Sequence, residues 1–426
     1  MKKIIIIETS DVGAAHTAEA SKKLGYEPVF IFTPSNYQAD TYNQLIKYPH
    51  YECSDTTQLE PLIKTIDANN IQNIAAVITM LDSRLNISYQ LADFLKVSGI
   101  DKAIITLSDK AKVAELISEY SPLTVIFNKH DIPYRCLEKL FSKNEKLIIK
   151  PTQGAGALGM FMLNSIEELK QLSNLIEKTN LQTLIHGHWI AQPLLPGRLI
   201  SLEGYAIGGK ANFIGFTARQ KVGNTESINH FPANNFLTDK AIKTAYAAIN
   251  TLVQRSAYKN GYFHAEFIVN QDDCHLIDAN FGRVGGGGIA QQLAMSYQKN
   301  PTDLFCHLIN TSIFGEIHNH SDLYAIEPIK TLSINYGLQE TSVLTNLILP
   351  NHFHGLHTQI LNNGAIVPKM GINNWSWLSI AVGYPRELLN SLNEIQIVTD
   401  RGNFKPFYLE GGMAHIERID EYLPQL

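Results

Sequence analysis

Two glycine-punctuated strand ends carry the residues of this 426-residue chain whose types and spacing can do chemistry. The first runs Lys150-Pro151-Thr152-Gln153-Gly154 and on through Gly156 to Gly159, directly behind the apolar Leu147-Ile148-Ile149. The second runs Asp278-Ala279-Asn280-Phe281-Gly282-Arg283, then Val284 and the glycines Gly285 to Gly288, behind Leu276-Ile277. A lysine that ends a strand and opens a Gly-rich loop suits a polyphosphate, because residues without a Cβ let backbone N–H groups approach the anion. Carboxylate and amide groups ending another strand suit the magnesium that travels with phosphates, an ion that prefers hard oxygen donors. Each has a plainer alternative. Lys150 could be an exposed strand end, and Asp278 and Asn280 could be turn residues satisfying backbone N–H groups. Glu266 is harder to explain that way: it lies inside an apolar strand, where a lone carboxylate is costly without a partner, and a metal is the expected one.

The elements that must position these residues can be read from periodicity. Strand 3–7, helix 14–24, strand 28–33, helix 57–69, strand 74–79, helix 86–97 and strand 102–107 alternate, which predicts a doubly wound α/β domain over residues 1–107. Its first turn, Ser10 to Ala15, has one glycine where a dinucleotide fingerprint needs three, so NAD binding is not expected. Residues 108–193 read as linker helices (109–119 and 135–141) and a small domain built on the strand ending at Lys150. There Ser165 and Glu168 form a capping box for a helix over 165–178. Residues 194–324 hold a hairpin (199–206 with 211–217), a long helix 239–254, a strand pair 261–269 with 275–279, and a helix 289–296. Short strands and turns over 325–426 predict a β-rich C-terminal subdomain.

In this order the pieces resemble the ATP-grasp superfamily, in its amino-acid or carboxylate–amine ligase (L-amino-acid ligase-like) branch, over residues 1 to about 315. The resemblance implies an α/β fold with a doubly wound N-terminal domain, a small lid domain, a magnesium-binding domain and a β-rich C-terminal appendix. It implies ATP and Mg²⁺, with Mn²⁺ as a substitute. It also implies that Lys110 and Lys150 face the phosphates, and that Gly154, Gly156 and Gly159 form the loop over the β- and γ-phosphates. Ala157 stands where that loop usually has a serine. Gln192, Leu194 and Leu195 correspond to the hinge that holds adenine, and Glu203 to a glutamate pointing into the site. Asn229-His230-Phe231-Pro232 makes His230 a site candidate, with a packed histidine as the alternative. Glu266, Asp278 and Asn280 match the metal set, with Asp278 where glutamate is usual. Arg283, one position further from the acid than usual, would hold a carboxylate and later an oxyanion, for which a planar fork is suited.

The reaction so implied joins a small-molecule carboxylate to an amine, both expected to be amino acids, through an acyl phosphate. A purine-biosynthesis or carboxylase-type enzyme, or a silent nucleotide-binding regulator, is the competing reading. A homodimer is left open. Composition limits the partners further. A net charge of −5 and pI near 6.3 give no nucleic-acid footprint. No run approaches the ~20 apolar residues that span a bilayer, and the start Met1-Lys2-Lys3 with four isoleucines is too short for a signal peptide. A cytoplasmic protein is expected. Four scattered cysteines contain no CxxC pair, so neither zinc nor a disulfide framework is indicated. His186, His188, His318, His320, His352 and His354 lie on polar segments without metal spacing and are expected at the surface. Arg219 and Lys221 face either the substrate or water.

Overall fold

The computed structural model describes residues 1–10, 13–37, 39–154, 158–179, 187–315 and 323–410. At the N-terminus five parallel strands stand in the order His50–Glu52, Glu27–Phe32, Lys3–Ile7, Ile74–Ile78, Ser98–Gly99. The four isoleucines are all buried because this sheet is covered on both faces, as parallel sheets are. Ile4 and Ile6 pack with helices Ala14–Lys23 and Pro301–Phe314, while Ile5 and Ile7 pack with Leu62, Ile66 and Leu91 on the other side. The strand expected over 102–107 is instead the short helix Ile104–Leu107. Ile104 and Leu107 are buried and Ile105 is 41% exposed, a spacing of three that fits a helical turn and not a strand.

The small domain is a four-stranded sheet, Val125–Asn128, His188–Pro193, Leu147–Pro151 and Phe161–Leu163 in that order. Alternation divides its strands. Leu147, Ile149, Trp189 and Ala191 fill the domain core, while Lys150 pairs with Ile190 and Ile148 with Gln192 on the opposite face. The helix expected over 165–178 is divided into Ile166–Lys170 and Leu172–Glu177; the Ser165 hydroxyl accepts from the Glu168 N–H at 3.2 Å and caps the first.

The largest layer is an eight-stranded sheet in which every pairing is antiparallel. Its order is Asp273–Phe281, Gly261–Asn270, Arg198–Ile207, Lys210–Val222, Thr225–Phe231, Thr331–Tyr336, Ser379–Gly383, Leu356–Gln359. The β-rich tail is continuous with this sheet through the pairing of Thr331–Tyr336 with Thr225–Phe231. One face packs Ile200, Leu202, Phe216, Ala218, Ala265 and Phe267 in the same core as helix Asp239–Ser256. The other carries the polar residues considered below. Helix Pro301–Phe314 had no amphipathic signal: every residue from Leu304 to Ile313 is buried, polar His307, Asn310, Thr311 and Ser312 among them, so no polar stripe faces water. No helix among the described residues is long and apolar enough to cross a membrane.

A bulge between Glu203 and Gly204 breaks the register of the central hairpin and fixes where Glu203 points. A Cβ at Gly204 would meet Phe263 Cζ at 2.3 Å and the Asn212 carbonyl at 2.5 Å. Gly204→Ala is therefore expected to destabilise the protein by about 1–3 kcal/mol, as overpacking does. Urea unfolding checks this, and an unchanged midpoint would show that the bulge is not tightly packed.

Candidate active site

The strand pair Gly261–Asn270 and Asp273–Phe281 places Glu266 directly opposite Asp278 and His264 directly opposite Asn280. Side chains opposite each other across strands share a face, so the four form a compact polar block. Lys110 opens the helix Lys110–Leu116, whose N-cap Asp109 accepts from the N–H groups of Ala111 and Lys112. Its ammonium lies 3.2 Å from Asp278 Oδ1 and donates to the Gly154 carbonyl at 2.9 Å. Lys150 reaches the same strand and donates to the Ile277 carbonyl at 2.8 Å. Burial lowers the Lys150 pKa to about 8, with Asp278 opposing the fall.

Arg219, 2% exposed at its side chain, is held between Glu226 and Glu266. Burial works against the Glu266 charge, but Arg219 outweighs it and keeps this carboxyl well below its usual range. His264 donates from Nδ1 to Glu203 at 2.6 Å. Burial alone would lower His264, and Glu203 reverses this, raising it to about 9. That value asks for a second proton on Nε2, yet Nε2 lies 3.0 Å from Arg219 Nη1 and 3.3 Å from Glu266. Two N–H donors cannot face each other at the shorter contact, so we assign the neutral ring, with Nε2 accepting from Arg219.

Two clefts meet at this block. One, of about 240 Å³, is a slot whose lining mixes apolar Leu107, Val113, Ile190, Leu276 and Phe281 with polar Asp82, Asn86, Ser108, Gln153 and Gln192. The other, of about 180 Å³, is lined by Lys150, Arg219, Lys221, Glu226, Glu266 and Trp377. Lys110, Gly154, Asp278 and Asn280 line both. Glu266, Asp278 and Asn280 present hard oxygen donors on one face, and both acids are only partly exposed, so the donor set fits Mg²⁺. Among the described residues no group of three or more His, Cys, Asp or Glu side chains could by itself hold a metal ion. A metal here would rely on two acids, an amide and phosphate or water oxygens.

The structure thus brings together Lys110, Lys150, Gly154, Glu266, Asp278, Asn280 and Arg283. Others fall elsewhere. His230 pairs with Ala218 and Leu332 and, by strand alternation, points to the face opposite Arg219 and Glu266; it is fully buried there. Glu203 is 1% exposed, lines neither cleft, and sits behind His264. Leu194 and Leu195 also lie outside the cleft lining, and the Leu194 N–H is already bonded to the Lys146 carbonyl at 3.0 Å. Gln192 does line the slot, but its Nε2 donates to Thr124 Oγ1 at 2.8 Å. Gly159 has the left-handed φ of 74° but lines neither cleft. Gly156, Ala157, His186, His318 and His320 lie outside the described residues. His188, His352 and His354 are exposed.

Four residues of the site were not expected from the sequence. Asp82, in the turn Asp82–Arg84 after the strand Ile74–Ile78, grips Arg283 through Nε and Nη2, from a distant part of the chain. Arg283 Nη1 donates to the Val284 carbonyl at 2.9 Å. Glu226, Asn374 and Trp377 come from a hairpin and from the C-terminal segment, neither of which carries a phosphate-like motif. An acid at the carboxyl edge of a parallel strand is the one clue that pointed to Asp82.

Residues 143–291 match the ATP-grasp domain family. No curated protein matches the chain in sequence. The fold is similar to that of L-amino acid ligase from Bacillus licheniformis at 14% identity, with 93% of this chain and 98% of that chain covered and a TM-score of 0.71. It is similar to phosphoribosylglycinamide synthetase from Anaerococcus prevotii at 14% identity, covering 93% and 99%, with a TM-score of 0.67. A third similar structure is the biotin carboxylase domain dimer of Hydrogenobacter thermophilus 2-oxoglutarate carboxylase, in complex with MgADP and bicarbonate. There the identity is 12%, the coverage 94% and 91%, and the TM-score 0.70. The chain carries an ATP-grasp domain, and its architecture is the ATP-grasp fold.

With its pKa near 8, Lys150 is charged below that pH and neutral above it. A triphosphate binds the charged form, so ATP affinity is expected to be full near neutral pH and to fall as pH rises through about 8. Lys150→Met should lower the affinity and flatten the profile. Calorimetric titrations from about pH 7 to about pH 9 check this, and a wild-type profile already flat would detach Lys150 from the phosphates.

Proposed function

We propose that this protein is an ATP-dependent ligase that joins a carboxylate to an amine, forming an amide through an acyl phosphate, with amino acids as substrates. The observation that carries this reading is the meeting of two clefts, one with Leu107, Val113, Leu276 and Phe281 in its lining and the other with Lys150, Arg219, Glu226 and Glu266, at one shared wall of Lys110, Gly154, Asp278 and Asn280. A nucleotide base fits the slot, its phosphates the wall, and the carboxylate and amine the charged cleft. A likeness to L-amino acid ligase and to the MgADP- and bicarbonate-bound carboxylase domain supports both the nucleotide and the small-molecule substrates.

Each residue then has a physical task. Lys110 and Lys150 hold the β- and γ-phosphates and neutralise the charge that shifts during transfer. Glu266, Asp278 and Asn280 would hold Mg²⁺, which would offset the negative charge of the phosphates. Arg283 has given three of its five N–H donors to Asp82 and Val284. The remaining two point the fork at the acyl oxygen, and Asp82 acts as the positioning residue that aims it. A substrate carboxylate oxygen attacks the γ-phosphorus, ADP leaves, and the amine displaces inorganic phosphate from the acyl carbon. No protein nucleophile is needed, because positioning and electrostatics carry the chemistry.

Two measurements check the reading. ADP release is expected to require a carboxylate, and hydroxylamine is expected to trap the acyl phosphate as a hydroxamate. Bicarbonate-driven ADP release with no hydroxamate would favour a carboxylase-type reaction, and no carboxylate-driven ADP at all would favour a silent nucleotide binder. Arg283→Lys should lower kcat by at least about a hundredfold while leaving ATP affinity nearly unchanged, since lysine lacks the planar fork that stabilises a developing oxyanion. Equal losses in both would place Arg283 with the nucleotide.

A further inference from the structure

The C-terminal segment lends Asn374 and Trp377 to the lining of the charged cleft. Residues 371–377 are clipped to the hairpin at 222–226 by a set of directional bonds. The Asn224 N–H donates to the Gly371 carbonyl at 2.9 Å, and the Gly371 N–H to Thr225 Oγ1 at 2.9 Å. Thr225 Oγ1 donates to the Asn373 carbonyl at 2.8 Å, and the Glu226 N–H to Asn374 Oδ1 at 3.0 Å. The Trp377 indole N–H donates to the Glu226 carbonyl at 2.8 Å. With its one polar atom satisfied inward, Trp377 offers the cleft a fixed apolar ring. Leu158 and Met160 of the small domain line the same cleft.

Polar groups beside this ring point to a polar guest. Asn229 and Asn335 are fully buried, and all four of their amide atoms are without a hydrogen-bond partner among the described residues. Both flank Gly287, which has φ 63°. A Cβ there would lie 2.9 Å from Asn335 Nδ2, 3.5 Å from Trp377 and 3.6 Å from Asn229 Nδ2. Neither amide lines the cleft; the polar groups that do, on the hairpin beside the ring, are Glu226 and Lys221. Glu226 and Lys221 face each other across the strands at the cleft wall. Lys221 makes no ion pair among the described residues.

We infer that this chamber takes the amine substrate, and that the substrate is an α-amino acid with an apolar side chain. Its side chain lies against Trp377, its ammonium meets Glu226, and its carboxylate meets Lys221. The inference rests on the ligase reading, which leaves open the side chain of the amine substrate and the residues that select it. It makes Trp377, supplied by the C-terminal strands, a specificity-determining residue.

The test is direct binding in the presence of a non-hydrolysable ATP analogue and Mg²⁺, with leucine and glycine as probes followed by calorimetry. The full-length wild type should bind leucine at least about tenfold more tightly than glycine, the scale on which hydrophobic pockets discriminate. Trp377→Ala should bring that preference to within about twofold, whereas Trp377→Phe, which keeps a ring, should retain most of it. Glu226→Gln should weaken leucine but not 4-methylpentanoate, which lacks the ammonium. No leucine preference in the wild type, or a preference that survives Trp377→Ala, overturns the inference. The ligase reading fails separately, if the wild type binds leucine with this preference yet forms no hydroxamate.

Discussion

The cross-strand pairing of Glu266 with Asp278 is the constraint on which the rest of the site depends. Two carboxylates directly opposite each other have Cβ atoms about 5 Å apart. At an effective dielectric of about 20, two like charges at that distance repel by about 3 kcal/mol, so the block must be compensated. Lys110 answers Asp278 and Arg219 answers Glu266. Arg219 is itself buried and needs more than one acid, which brings in Glu226, and His264 needs Glu203 behind it. The polar face of the sheet is one connected set of charges whose members cannot be moved independently.

This connectedness has a consequence for ligand binding. The acids suited to a divalent cation are held by the cations suited to a triphosphate or to a carboxylate. A metal arriving alone would leave Lys110 without its acid and Arg219 with Glu226 alone, and a triphosphate arriving alone would face Glu266 and Asp278 across the wall. Arriving together they exchange one set of pairs for another at little net change in buried charge, which is the arrangement a metal–nucleotide substrate requires. Asp82 extends the same logic to the N-terminal domain. It spans from the parallel sheet to Arg283, so the position of the arginine depends on how that domain seats against the antiparallel sheet.

Much of this was legible in the sequence because its signals are local. The isoleucine run, the capping box at Ser165, the helix Ile289–Ser296 and the glycines after Lys150 and Asp278 each rest on a few neighbouring residues. Where the local signal is weak the reading failed. Ile104–Leu107 is too short to distinguish a helical turn from a strand, and Pro301–Phe314 is buried on every side with polar residues mixed among the apolar ones. The Asn229-His230 pair shows a sharper limit. Adjacent strand residues point to opposite faces, and nothing in the dipeptide says which face is the site; register assigned Asn229 to it and buried His230 behind.

What the sequence by itself determined is the set of chemical groups: a lysine ending one strand, an acid and an amide ending another, glycines after each, and the α/β and antiparallel elements that carry them. Only the tertiary structure decided which charges meet. Asp82 with Arg283, Arg219 with Glu266, and Trp377 beside Glu226 are contacts between elements far apart in the chain. The same holds for the demotion of Glu203, Leu194 and Leu195 from the cleft. The physical reason is that backbone preference acts over a turn or two. The partner of a buried charge is set by strand register and by domain packing, which no short window of residues contains.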